Sequence, residues 1–252
     1  MLSTSHPELT TQIVNACLEI FPEAKSVLLW GGIVSPDFSP EINDVDVIIE
    51  IDGDFSQEVI LAARLKSLVQ SCTGYRLDPF VYLTGASEEN LEFIAPFGFY
   101  KANPFIPYLI GEQHVLAYGQ SRLLDKLPKV TLKDALLGIM PTAMGALKRF
   151  RMDAQVEQAW APIAPKHKAG LFVVLRTYFA FEQEGLGSKK EALRFAAKKF
   201  PEFQSIVDQL ALSIDPKATT VTSEAPNVDT ILEFVKVMED SLLASQRRIT
   251  TH

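Results

Sequence analysis

The sequence predicts an α/β (α+β) protein: strands and helices alternate in its first half, and helices alone fill the second. Three observations carry this. Short apolar runs with strand character, Ser26–Trp30, Asp44–Ile51 and Arg76–Thr84, are separated by stretches of helical spacing. From Thr131 onward the apolar residues recur at helical intervals. The chain of 252 residues has room for one large domain or two modest ones. The expected division is an N-terminal sheet domain over 1–125 and a C-terminal α-helical bundle over 126–252.

The elements follow in order. Ile13, Ala16, Cys17 and Ile20 give Pro7–Phe21 the spacing of a helix, with Ser5 as cap and Pro22 as stop. Ser26–Trp30 is a short buried strand, Gly31-Gly32 a turn, and a Pro- and Ser-containing loop leads to a second strand from Asp44. Gln57–Gln70 is a helix and Arg76–Thr84 a third strand. Glu89–Pro107 has no clear period; its Phe93, Phe97, Phe99, Tyr100 and Phe105 suit a core or the lining of a pocket, the core being preferred. Pro107–Glu112 reads as a short helix and His114–Tyr118 as a strand; His114 is taken as structural.

In the second half, Leu132, Ala135, Leu136, Ile139 and Met140 form one amphipathic run, and Met144–Val156 another after a break at Pro141. Trp160–Pro165 is a Pro-punctuated link, followed by a helix over Lys168–Glu184 that Gly185 and Gly187 end. Ser188-Lys189-Lys190-Glu191 has the form of a capping box. Its helix runs to Pro201, Asp215–Asn227 is a polar loop, and Asp229–Ser245 a final helix.

Composition excludes several classes. The chain is 47% hydrophobic and 22% charged, as in soluble globular domains. Its longest candidate membrane run, Leu171–Phe181, is interrupted by Arg176, and the N-terminus lacks the basic-then-apolar pattern of a signal peptide. Cys17 and Cys72 lack metal-ligand spacing and fit reduced core thiols, so a cytoplasmic location is expected. A formal net charge of −7 opposes a long nucleic acid as partner. It is compatible with a small nucleotide carried with Mg²⁺, and it suits a cationic acceptor.

The chemistry centres on Ser26–Asp52. Strand alternation sends Asp44 and Asp46 to one face and Val45 and Val47 to the other. Two neighbouring carboxylates repel unless a positive charge lies between them, and Mg²⁺ is commonly held by one or two carboxylates plus substrate phosphates. A solvated strand start would show the same Asp-x-Asp pattern. The preceding Gly31-Gly32 would let backbone N–H groups come close to an anion. Gly31-Gly32 followed by Asp44-Val45-Asp46 resembles the signature of the DNA polymerase beta-like nucleotidyltransferase superfamily. That resemblance implies a mixed-sheet nucleotidyltransferase domain, two Mg²⁺ ions and a third acid from a later strand. Asp78 fills the third place, as metal ligand or as base, although Asp78-Pro79 is also a common turn dipeptide.

Leu175–Pro201, with His114–Leu124, resembles the helical domain and inter-domain connection of streptomycin/spectinomycin-type aminoglycoside adenylyltransferases. The resemblance implies that Lys189, at a helix start, contacts the triphosphate of ATP. A helix N-terminus offers unpaired N–H groups and partial positive charge, which agrees; a solvated surface lysine is the alternative. The chain departs from that family in carrying Gly-Gly for Gly-Ser and in lacking a basic residue over 33–42. It also lacks counterparts of the drug-holding aromatic and acidic residues and of the tyrosine after the Ala-rich helix.

The expected function is transfer of AMP from ATP to a hydroxyl of a small-molecule acceptor, with an aminoglycoside among the candidates. Asp44, Asp46 and Asp78 are the catalytic and metal residues, and Gly31, Gly32 and Lys189 the phosphate-binding ones. A non-catalytic nucleotide-binding module and an interaction protein of toxin–antitoxin type are the alternatives. The last would show an exposed apolar patch on the helical domain.

Overall fold

The structure is a computed structural model that describes residues 6–35, 38, 43–85, 91–214 and 224–250. The Ser5 cap and most of the Asp215–Asn227 loop lie outside these residues. Two compact units are formed, Met1–Thr131 and Leu132–His252.

The first unit is built on a six-stranded mixed sheet of order β5-β4-β3-β2-β1-β6. Its strands are β1 (Ser26–Trp30), β2 (Asp44–Ile51), β3 (Arg76–Leu83), β4 (Glu92–Ala95), β5 (Gly98–Lys101) and β6 (His114–Gly119). β1 runs antiparallel to both β2 and β6, β2 pairs in parallel with β3, and β4 joins β3 and β5 in antiparallel fashion. A parallel pair needs a crossover, and α2 (Glu58–Ser71) supplies the one between β2 and β3.

Helix α1 (Pro7–Ile20) and α2 cover one sheet face. Ile13 and Cys17 from α1 and Leu61, Leu65 and Leu68 from α2 join Val27, Leu29, Val45, Val47, Ile49, Leu77 and Val81 in one core. Burial pushes the Cys17 thiol up to about 12, the behaviour of an inert core sulfur. The far end of β2 is fixed by Glu50, which is buried on the opposite face. Its carboxylate accepts from Ser26 Oγ (3.0 Å), Ser121 Oγ (2.9 Å) and the N–H groups of Arg122 (2.9 Å) and Leu123 (3.3 Å). This ties β2 to α4 (Arg122–Lys126).

The unreadable segment after Glu89 contains the β4–β5 hairpin, and the short helix after it, α3, begins at Phe105 rather than Pro107. Four-residue strands are too short to show a period, and Gly98, at φ +110°, closes the turn.

The second unit contains α5 (Leu132–Glu157), α6 (Trp160–Gln183), α7 (Lys189–Lys199), α8 (Gln204–Leu212) and α9 (Val228–Thr250). The expected break at Pro141 does not occur, and α5 runs through it. Pro141 is exposed, so the carbonyl deprived of a partner is not sealed in the core. Ile139, Met140, Ala143, Ala146, Leu147 and Phe150 continue the buried stripe across the proline, and that burial offsets a penalty of about 3 kcal/mol. The expected link at Trp160–Pro165 is instead the start of α6. Pro162 falls in the first turn, where N–H groups have no intrahelical partner anyway. Helix α8 fills the stretch between Pro201 and Asp215, for which the sequence predicts no element.

Ser188 and Glu191 form the full capping box: the Glu191 N–H donates to Ser188 Oγ (3.2 Å) and the Ser188 N–H to Glu191 Oε2 (2.8 Å). Glu182 gathers Arg248 and the Ser245 hydroxyl from α9, and Arg151 of α5 pairs with Glu239 of α9. On this unit the large exposed hydrophobic side chains among the described residues are Met152 and Val156, one helical turn apart on α5. Among the described residues no helix is long and apolar enough to cross a membrane.

The cap yields a direct check. Ser188→Ala should lower stability by about 1 kcal/mol in denaturant unfolding, because the Glu191 N–H loses the Ser188 Oγ acceptor while the backbone N–H of residue 188 keeps the Glu191 carboxylate. No change would mean that the box contributes nothing to α7.

Candidate active site

The site is assembled at the C-terminal end of β1 and the N-terminal ends of β2 and β3. β1 stops at Trp30, and a 3₁₀ turn over Gly31–Val34 follows. Gly31 sits at φ +68°, a region that L side chains rarely adopt. A Cβ at this position would lie 2.7 Å from Asp46 Oδ2, so only glycine admits that carboxylate against the bend. The Gly31 N–H donates to the Gln113 carbonyl (3.0 Å). Gly31 therefore contributes room rather than a spare donor.

Sheet register determines what faces what. Asp46 is opposite Trp30 on β1 and opposite Asp78 on β3, while Asp44 is opposite Arg76. Val45, Val47 and Leu77 turn into the core between α1, α2 and the sheet, so Asp44, Asp46 and Asp78 take the other face. All three acids are half-buried. Asp44 forms an ion pair with Arg76, whose side chain is 73% exposed. The Asp78 carboxyl is raised above the usual carboxylate range by burial first and by the charge of Asp44 second, with Arg76 pulling the other way. Tyr100, from β5, is raised by its own burial and by Asp78 nearby.

Beside the acids runs a row of aromatic rings. Trp30 and Phe80 have centroids 6.4 Å apart, Phe80 and Tyr100 5.6 Å, and Phe80 and Phe93 5.9 Å. Phe93 is core, as preferred from the sequence, whereas Phe97 and Phe99 are 73% and 46% exposed. His114, opposite Trp30 on β6, has Nδ1 2.7 Å from the Ile110 carbonyl, which fits a structural role.

Lys189 belongs to the helical unit, where it is the first residue of α7 after the Ser188 cap. It is half-buried rather than fully solvated, and its Nζ lies 5.5 Å from the centre of the Phe172 ring.

Sequence reasoning gave Arg76 no role and named Tyr100 only as a core or pocket-lining residue, not as a neighbour of Asp78. Arg76 was legible in principle, because it alternates with Asp78 in a strand parallel to that of Asp44. Tyr100 was not, because nothing in its short strand announces a partner on β3.

Among the described residues no group of three or more His, Cys, Asp or Glu side chains is placed to hold a metal ion. The three acids thus do not form one ligand set by themselves. Asp44 and Asp46 share one face at the start of β2, with Asp46 Oδ2 against the Gly31 bend, and paired carboxylate oxygens are the donor type that hard cations take.

No protein-family model matches the chain, and no curated protein matches it in sequence. Its structure is similar to the crystal structure of the spectinomycin adenyltransferase AAD(9) from Enterococcus faecialis with ATP and spectinomycin. The TM-score is 0.62 at 10% identity, over 93% of this chain and 98% of that one. At this identity the likeness is one of fold.

Gly31→Ala should cost about 1–2 kcal/mol from the left-handed backbone alone, and more from contact with Asp46. Adding Asp46→Ala should recover only the contact part. Full recovery in the double variant, read by denaturant unfolding, would show that backbone conformation at Gly31 is not the constraint.

Proposed function

We propose that the chain is a nucleotidyltransferase that moves AMP from ATP to a hydroxyl of a small molecule. The observation that carries the reading is Asp46 Oδ2 seated against the Gly31 bend, with Asp44 two residues before it and Asp78 opposite it on β3. The fold shared with an adenyltransferase crystallised with ATP and spectinomycin supports it.

In this reading Asp44 and Asp46 hold Mg²⁺, which when bound stabilises charge on the entering and leaving oxygens. Gly31 seats the Asp46 carboxylate at the bend, Gly32 lets the triphosphate approach the backbone closely, and Lys189 offsets its negative charge. Asp78 accepts the proton of the attacking hydroxyl. A carboxylate raised above its ordinary range holds a proton more firmly, which suits a base. The acceptor oxygen forms a bond to the α-phosphorus, the bond to the bridging oxygen breaks in line, and pyrophosphate leaves. Positioning both reactants supplies much of the rate. A cationic polyol fits the acidic chain, so spectinomycin and other aminoglycosides are the first acceptors to try.

Two experiments test this. Asp44→Asn with Asp46→Asn should abolish the Mg²⁺-dependent stabilisation by ATP, which at one hundred times Kd amounts to about 2.7 kcal/mol in the wild type. Persistence of that stabilisation would remove both residues from the metal role. Lys189→Ala should weaken ATP about 10- to 100-fold in calorimetry while leaving adenosine nearly unchanged. Equal losses would count against a phosphate contact.

A further inference from the structure

Arg76 is the one cation that the structure brings onto the acid cluster from within the sheet unit among the described ion pairs. It stands at the first position of β3, and the parallel register sets it directly opposite Asp44. Its guanidinium occupies Asp44 Oδ2, one of the oxygens that the proposed function needs as a metal ligand. A metal and Arg76 cannot both hold that oxygen in the same way.

We infer that Arg76 is a resident counterion that occupies the cation position at Asp44 in the metal-free protein and is displaced when Mg²⁺ arrives with ATP. The inference rests on the metal role proposed above for Asp44. The exposure of the pair makes exchange feasible: the Arg76 side chain is 73% exposed and that of Asp44 35%. Ion pairs in such surroundings are weak. A deeply buried pair would exclude the metal, and a carboxylate cluster with no resident cation would repel itself before the metal came. Arg76 also acts on Asp78, opposing the upward push of Asp44, so it serves the cluster rather than a single partner. It is a positioning residue, since it holds the ligand set in place without touching the reacting atoms.

The test uses the full chain with Arg76→Gln and Arg76→Lys, melted in EDTA and at saturating Mg²⁺ with ATP, followed by a Mg²⁺ titration at fixed ATP. Arg76→Gln should lower Tm by about 1–4 °C in EDTA. That loss should vanish with Mg²⁺ and ATP, because the metal then supplies the missing charge. The Mg²⁺ midpoint should fall about three- to tenfold, since a competing positive charge has gone. Arg76→Lys should restore the wild-type pattern in part. An equal Tm loss in both conditions with an unmoved midpoint would reduce Arg76 to an ordinary surface ion pair. A raised midpoint would make it an aid to metal binding, which also overturns the inference. If the wild type shows no Mg²⁺-dependent shift, the metal role of Asp44 fails first, and that outcome is separate from a failure of Arg76.

Discussion

Like charge at one end of a parallel strand pair is the constraint around which the sheet unit is arranged. Asp44, Asp46 and Asp78 all leave β2 and β3 on the same face, because Val45, Val47, Leu77 and Val81 claim the other for the core. A slip of one residue in either strand would drive carboxylates into that core, so packing fixes the acids in place. Their repulsion is met locally. Arg76 pairs with Asp44, Asp78 holds its proton more firmly than an exposed aspartate does, and Gly31, which has no Cβ, leaves room for Asp46.

The remaining elements of this unit serve the same end. Helices α1 and α2 seal the face that holds the valines. Glu50 takes hydrogen bonds from β1 and α4 and so anchors the end of β2 away from the acids. The β4–β5 hairpin extends the sheet and brings Tyr100 into the field of Asp78.

Much of this was legible in the sequence where a local rule sufficed. β1, β2, β3 and β6 followed from apolar runs bounded by turn residues, and the Ser188 box from a four-residue pattern. Alternation alone placed Asp44 and Asp46 on one face. What escaped depended on partners distant in sequence. Pro141 looked like a break because its cost is local, whereas the burial that outweighs it comes from the helices packed around α5. From the sequence, the cation expected between the acids is a metal alone. The register of β2 against β3 shows that Arg76 already stands at Asp44.

The most direct measurement is anomalous diffraction from crystals soaked with Mn²⁺ and a non-hydrolysable ATP analogue. The expected result is a Mn²⁺ peak bound by Asp44 and Asp46 beside the Gly31 bend, with the triphosphate completing its shell and Arg76 released from Asp44. A nucleotide bound elsewhere, or no metal at these two carboxylates, would contradict the assignment of this strand end as a nucleotidyl-transfer site.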